Sequence, residues 1–254
     1  MFSVVFSSSH RPRLRRIFSR ILSPKGGACA LLSALCLASF CGCAKKPTDL
    51  FSRVSELRDN AFFATTDADG ENAFRLCVYS YLREQPLVSD GAAGKTERVA
   101  EFYFTAKDGA DTYVLRYASP DGLKQGGGEM SYDDVQRRYY YFCSEDLSSS
   151  GALNVAVKNE KTGEEISFNA ISAKKDGTLS PREILSAFEN AESEKIASLK
   201  KNGVFCAEIR IRLIVSEDTP YYYLGLIDEN GKTFSYLLGG ETGKILAKRE
   251  SDDA

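Results

Sequence analysis

Residues 205–238 read FCAEIRIRLIVSEDTPYYYLGLIDENGKTFSYLL, and their pattern determines the architecture of the C-terminal part of the chain. Apolar and charged residues alternate from Phe205 to Leu213, with the period of a half-buried strand. Tyr221 to Asp228 and Thr233 to Leu238 are two further strand-like runs, and the turn sequence DENG joins them. Because the connections are short, we predict consecutive antiparallel strands, followed by a last strand over 244–248.

A helix is predicted just before these strands. The sequence SPRE at 180–183 is a capping box with proline at the first helical position. Gly203 supplies the stop. The apolar residues between them share one face of a helical wheel, and they are Ile184, Leu185, Phe188, Ala191, Ile196 and Leu199. We therefore predict that residues 176–254 form an α+β domain in which a helix packs on a small antiparallel sheet.

The order of motifs in this domain resembles the PepSY family. An aromatic hairpin, with PYYY at 220–223 and FSY at 234–236, leads to TGKI at 242–245. The resemblance is partial, because Gly239-Gly240-Glu241 stands where the family's turn usually begins, and it covers about residues 180–250. It implies a small α+β unit of exported bacterial proteins that inhibits or regulates peptidases.

Residues 61–175 are predicted to form an antiparallel β-sandwich. Turn dipeptides such as Asp108-Gly109 separate short alternating runs, and no helical pattern intervenes. The runs are 74–78, 99–104, 113–117, 139–143, 153–157 and 166–171. The cysteines in and after this region leave two alternatives open, a disulfide between Cys77 and Cys143 or three reduced thiols with Cys206. The chain as a whole is predicted to be mostly β with an α+β C-terminal part.

The first 42 residues are predicted to be a lipoprotein signal peptide. They carry six basic side chains and no acidic one, and the apolar run at 28–40 is short for a membrane span. An ordinary signal peptide or an uncleaved anchor remains an alternative. Arg15-Arg16 leaves both Sec and twin-arginine export open.

The expected lipid site follows this apolar run. The sequence CGC at 41–43 resembles the lipidation site of bacterial lipoproteins, in which a small residue precedes the modified cysteine. Because Gly42 precedes Cys43, we expect the lipid on Cys43 and the protein on the outer face of the cell membrane. Residues 43–60 are predicted to be a tether and a short helix.

Composition excludes several classes of function. His10 is the one histidine of the chain and lies in the predicted signal, so histidine-based catalysis and histidine-ligated zinc are not expected. Residues 43–254 carry 27 of the 33 basic side chains and all 35 acidic ones, a net charge of −8, which disfavours nucleic acid as a partner. The acidic stretch 67–72 fits a hairpin turn better than a calcium loop, and the glycines at 126–128 read as a flexible loop. We predict neither a cofactor or metal nor catalytic activity.

Two hypotheses for function follow from the tyrosine triplets at 139–141 and 221–223, which place rings on both faces of a strand. The first is a membrane-anchored extracytoplasmic lipoprotein that acts without catalysis through an extracytoplasmic protein partner. Its candidate contact residues lie on a hairpin able to accept an added strand, and they are Tyr221, Tyr222, Tyr223 and Tyr236. The alternative is a module that binds cell-wall glycan or peptide through exposed tyrosines.

Overall fold

The fold is mostly β, as predicted. It is given by a computed structural model that describes residues 49–66, 74–84, 94–106 and 111–251. The strands of these residues are β1 Val54–Thr65, β2 Arg75–Glu84, β3 Thr96–Thr105, β4 Tyr113–Ala118, β5 Gln125–Glu129, β6 Ser131–Asp133, β7 Arg138–Cys143, β8 Ala152–Asn159, β9 Glu165–Ser172, β10 Lys200–Lys201, β11 Val204–Phe205, β12 Ala207–Ser216, β13 Thr219–Asp228, β14 Thr233–Gly239 and β15 Ile245–Ser251. The helices are α1 Pro181–Ala191 and α2 Ser193–Ser198. Among these described residues, neither helix has the length and apolar character needed to cross a membrane.

Nine strands form one nearly closed, barrel-like antiparallel sheet in the order β5-β4-β8-β9-β1-β2-β3-β7-β6. The predicted layering into a sandwich is therefore wrong. Phe62 and Phe63 of β1 pair with β2 on one side and with β9 on the other, so hydrogen bonds continue where a sandwich would have two separate sheets. The sheet nearly closes where Tyr141 of β7, the strand next to one end, donates from Oη to the carbonyl oxygen of Gly127 in the end strand β5 over 3.1 Å.

The glycine triplet 126–128 lies in strand β5 and is not the flexible loop that we predicted. A Cβ on Gly126 would lie 2.8 Å from Tyr117 Oη, and a Cβ on Gly128 would lie 2.8 Å from a ring carbon of Tyr141. Because glycine has no side chain, both rings lie directly against the β5 backbone. The triplet thus lets two tyrosines fill the seam of the barrel.

The C-terminal part has the predicted strands and helix start. Strands β12, β13, β14 and β15 are consecutive antiparallel neighbours. The capping box forms, since Ser180 accepts from the Glu183 N–H and the Glu183 side chain accepts from the Ser180 N–H. The predicted single helix is instead two, because Glu192 departs from helical geometry with φ −118° and ψ 38°. The apolar face of α1 packs on the sheet through Ile184, Leu185 and Phe188.

Strand β1 covers residues 54–60 of the segment 43–60 that was predicted as a tether and short helix, and residues 43–48 lie outside the described ranges. A 3₁₀ helix covers Leu50–Arg53, and extended strand follows at once. The apolar spacing of this segment resembles that of a helix because the strand has an irregularity between Val54 and Glu56. This β-bulge lets Val54 and Leu57 share one buried core although they are three positions apart.

Strand β1 pairs with strands of both predicted domains, 61–175 and 176–254. Its first half runs parallel to β12, with Leu57 opposite Ile211, and its second half pairs with β9. Leu57 and Ala61 belong to the core beneath α1, whereas Phe62 belongs to the core of the barrel. Each part therefore has a core of its own, but one continuous sheet joins them.

The three described cysteines are free. Cys77 lies on the outer side of β2, because its neighbours Leu76 and Val78 fill the barrel core. Cys143 faces the interior, where its Sγ lies 3.5 Å from Tyr117 Oη. Strand β3 lies between β2 and β7, so the disulfide alternative is wrong and the reduced thiols are observed.

Candidate ligand-binding site

Two of the four predicted contact tyrosines lie in the core. Tyr222 is fully buried and donates from Oη to the Leu179 carbonyl oxygen over 2.9 Å. Tyr236 is buried with its ring edge-on to Phe188, at 4.7 Å between centroids. Their assignment as a contact surface is corrected, because the face of β13 and β14 that they occupy is covered by α1.

The other two, Tyr221 and Tyr223, are half-buried on the opposite face of β13. Tyr223 Oη lies 3.1 Å from Ser235 Oγ, and the guanidinium of Arg212 lies 5.7 Å from its ring centre. Both edges of the β13–β14 hairpin are already paired, with β12 and with β15. The hairpin therefore has no open edge for an added strand.

The outer wall of the barrel carries a more concentrated group of aromatic and charged side chains. They line a cleft of about 250 Å³, which we call the aromatic cleft. Its walls are Arg83, Glu101, Tyr103, Asp133, Gln136, Tyr140 and Phe142. Tyr140 and Phe142 are each 41% exposed, so two neighbouring rings face solvent at this site.

Strand alternation explains why these rings point outward. Tyr139 is buried in the barrel, so Tyr140 and Phe142 lie on the other face of β7. The predicted division of this tyrosine triplet between two faces is confirmed. In the register of β3 and β7, Tyr140 lies opposite Tyr103 and Phe142 lies opposite Glu101.

The polar groups of the cleft are held in place. Glu101 accepts from Arg83 at 2.5 Å and from Tyr103 Oη at 2.8 Å. Burial, followed by the charge of Glu101, raises the pKa of Tyr103, so its hydroxyl stays a neutral donor. Asp133 Oδ1 accepts from the backbone N–H groups of Val135 and Gln136 and fixes the β6–β7 turn.

This arrangement suits recognition by stacking and hydrogen bonding. An apolar ring face can pack on Tyr140 or Phe142, and polar substituents can reach Arg83 or Glu101. Glu101 already accepts hydrogen bonds from two side chains, and one oxygen of Asp133 accepts backbone hydrogen bonds within a turn. Both carboxylates are therefore held in place as hydrogen-bond acceptors.

A second groove of about 310 Å³ lies between helix α2 and the edge strand β15. Among the described residues, no strand pairs with the outer edge of β15. Lys195 lies over the Phe234 ring at 3.8 Å, and Lys248 pairs with Glu192 at 3.5 Å. Arg249 lines the same groove and has no ion pair within the part of the chain that the structure describes.

Sequence reasoning missed Arg83, Glu101, Asp133 and Gln136. Alternation alone would place Glu101 and Tyr103 on one face of β3. The pattern of a single strand does not show that β2 and β7 flank β3, because that order depends on pairing between distant segments. No group of three or more metal-ligating side chains occurs in the described ranges. The acidic stretch 67–72 and Cys43 lie outside them.

A comparison with protein-family models, curated proteins and solved structures found no match for this chain. The resemblance to the PepSY family therefore gains no support from that comparison and remains a hypothesis based on residues 180–250.

Proposed function

We propose that this protein is a non-catalytic, extracytoplasmic lipoprotein that binds a cell-surface glycan in the aromatic cleft. The proposal takes up the alternative hypothesis from the sequence, at a site on the barrel rather than on the C-terminal hairpin. The observation that supports it most is the pair of exposed rings, Tyr140 and Phe142, beside the fixed polar groups Arg83 and Glu101.

The chemistry of a sugar matches this site. One face of a pyranose ring is apolar and packs on an aromatic ring, whereas its hydroxyl groups need donors and acceptors at fixed positions. The ion pair of Arg83 and Glu101 supplies both kinds of group. Since the partners of Glu101 hold it in place, little side-chain freedom is lost when a ligand binds.

Replacing either exposed ring should weaken glycan binding. We expect Tyr140→Ala and Phe142→Ala each to raise the Kd for a chitin tetrasaccharide or a soluble peptidoglycan fragment by about tenfold or more, because a central aromatic contact is lost. Isothermal titration measures this effect. Leu123→Ala, an 81% exposed residue in another turn, is the matched control and should bind as the wild type does.

Two results would count against this function. One is wild-type affinity in both ring variants, and the other is hydrolysis of the glycan by the purified protein. A thermal melt of each variant separates lost contact from lost folding, because an exposed ring removed from the outer wall should change the midpoint little.

The proposed location at the outer face of the cell membrane depends on Cys43, which we propose carries the lipid. Mass spectrometry of the mature protein should find an N-terminal, diacylated Cys43 and no residue before it. The Cys43→Ser variant should be released from the membrane fraction, because no acyl chain would hold it there. A mature chain that begins at another residue would refute this assignment.

Protein contact is a second candidate function, and the groove beside β15 favours it. An extended segment of a partner could pair with the open edge of β15 and place acidic side chains near Lys195 and Arg249. This mode would suit the peptidase regulation that the PepSY resemblance implies.

Charge reversal on β15 tests this second candidate. We expect Arg249→Glu to weaken binding of a labelled ten-residue peptide of alternating valine and glutamate by about fivefold, because one attraction becomes a repulsion. Lys175→Glu, on an exposed loop, is the control for net charge. Equal binding by the two variants would exclude the groove as the contact.

A further inference from the structure

We propose that the ligand of the aromatic cleft carries an anionic group, a carboxylate or a phosphate, which Arg75 and Arg138 bind beside the Tyr103 wall of the cleft. This inference rests on the proposed glycan function and names the chemical class of the glycan, an acidic cell-surface polysaccharide.

The two arginines lie on the same outer wall as the rings. Arg138 precedes Tyr140 by two positions on β7 and so points to the same side. Arg75 precedes Cys77 by two positions on β2, and it lies opposite Thr105 at the end of β3. Neither arginine is among the residues that line the cleft, but both lie beside its Tyr103 wall. Arg138 packs on the Tyr103 ring, and Arg75 is two positions from Cys77, which pairs with Tyr103.

The guanidinium of Arg138 packs on an aromatic ring and forms no ion pair with any residue that the structure describes. Its central carbon lies 3.6 Å from the centre of the Tyr103 ring, in a cation–π contact that holds the guanidinium beside the cleft. Its Nε is buried and has no hydrogen-bond partner in the described parts of the chain. Asp133 is its neighbour in the β6–β7 register, yet one oxygen of Asp133 is taken by the turn and no ion pair with Arg138 forms.

Arg75 has no carboxylate partner among the described residues either. The charges of both arginines act on the Cys77 thiol. Burial raises the pKa of that thiol, and the positive charges of Arg138 and Arg75 both oppose the rise. Two guanidinium groups that have no counter-ion among the described residues thus act on the same small area of the wall.

The positive charge of this area contrasts with the negative net charge of the protein. Residues 43–254 carry a net charge of −8, so the protein as a whole repels anions. A guanidinium offers parallel N–H groups to a carboxylate or phosphate, which is a strong and directional contact. We infer that the site attracts an anionic substituent of a ligand whose sugar ring packs on Tyr140.

Three probes of similar length test the charge of the ligand. They are a hyaluronan tetrasaccharide with carboxylates, a glycerol-phosphate oligomer with phosphates, and a neutral chitin tetrasaccharide. At low salt we expect the wild type to bind at least one anionic probe about tenfold more tightly than chitin. This preference should fall as salt rises, since screening weakens the contact.

Variants then locate the anionic contact. Arg75→Gln changes an exposed side chain, so we expect a folded protein that loses about threefold or more of the affinity for the anionic probe and none for chitin. Arg75→Gln combined with Arg138→Gln should remove the preference, whereas Arg138→Lys should retain part of it. Arg116→Gln, exposed on strand β4, is the matched control and should leave the preference unchanged.

The outcomes separate this inference from the function on which it rests. If no glycan binds the wild type, the proposed function fails. If chitin binds as tightly as the anionic probes, or if Arg75→Gln and Arg116→Gln behave alike, the inference fails and glycan binding stands. Binding of phosphatidylglycerol vesicles without binding of any anionic glycan would also overturn it.

Discussion

Replacing Gly127 by alanine is expected to lower the free energy of unfolding by about 3 kcal/mol. A Cβ at this position would lie 2.1 Å from the Leu115 carbonyl oxygen and 2.9 Å from the Arg116 Cα. Both are backbone atoms of β4, the strand that pairs with β5, so neither can turn aside as a side chain can. The substitution must push β5 away from β4 and disrupt the pairing of the two strands.

Thermal unfolding followed by circular dichroism measures this loss, and we expect a midpoint lower by about 10 °C. Gly151→Ala is the control, because nothing lies within 4 Å of a Cβ at that position. Equal unfolding midpoints for the Gly127→Ala and Gly151→Ala proteins would show that β5 is not packed on β4 as described.

Replacing Arg212 by methionine is the second large effect, with an expected loss of about 3 kcal/mol. Arg212 donates from Nε and Nη2 to the two oxygens of Glu56, at 2.6 and 2.7 Å. The Glu56 side chain is only 4% exposed, so the variant leaves a carboxylate without its partner in a buried position. The same pair links β1 to β12, which makes it a direct test of the joined sheet.

A double variant separates the pair from its surroundings. We expect Glu56→Gln with Arg212→Met to lose clearly less stability than Arg212→Met alone, because no unpaired charge remains. Arg182→Met removes an exposed ion pair with Asp49 and should cost no more than about 0.5 kcal/mol. Urea unfolding supplies all three values, and equal losses for Arg212→Met and Arg182→Met would contradict the buried pairing of Glu56.

The sequence predicted the strands and the helix start that depend on residues close together in the chain. Alternation located β12, β13 and β14, because each has one face on a core and one face outside it. The capping box located the start of α1 at Ser180, since its hydrogen bonds join residues three apart. The outward position of Tyr140 follows from the same alternation, so part of the candidate site could be predicted from the sequence.

Features that depend on distant pairing were not predicted. The bulge in β1 gives Val54 and Leu57 a spacing that a helix would also produce, and only pairing with β12 distinguishes the two. The barrel arises because β1 bonds to β9 as well as to β2, which no single strand indicates. The aromatic cleft needs β2, β3 and β7 side by side, so its charged residues remained separate in the sequence.

The shared strand β1 has a consequence for the order in which the chain folds. Strands β1 to β9 end at Ser172, so the barrel can close before the C-terminal sheet exists. The parallel contact of β1 must wait for β12, and the pair of Glu56 and Arg212 closes a loop of 156 residues. Long-range closure of this kind is entropically costly and slow. We therefore expect the last kinetic phase of refolding to report the docking of β12 on β1, and a chain that ends before residue 207 to expose half of β1 as an open edge.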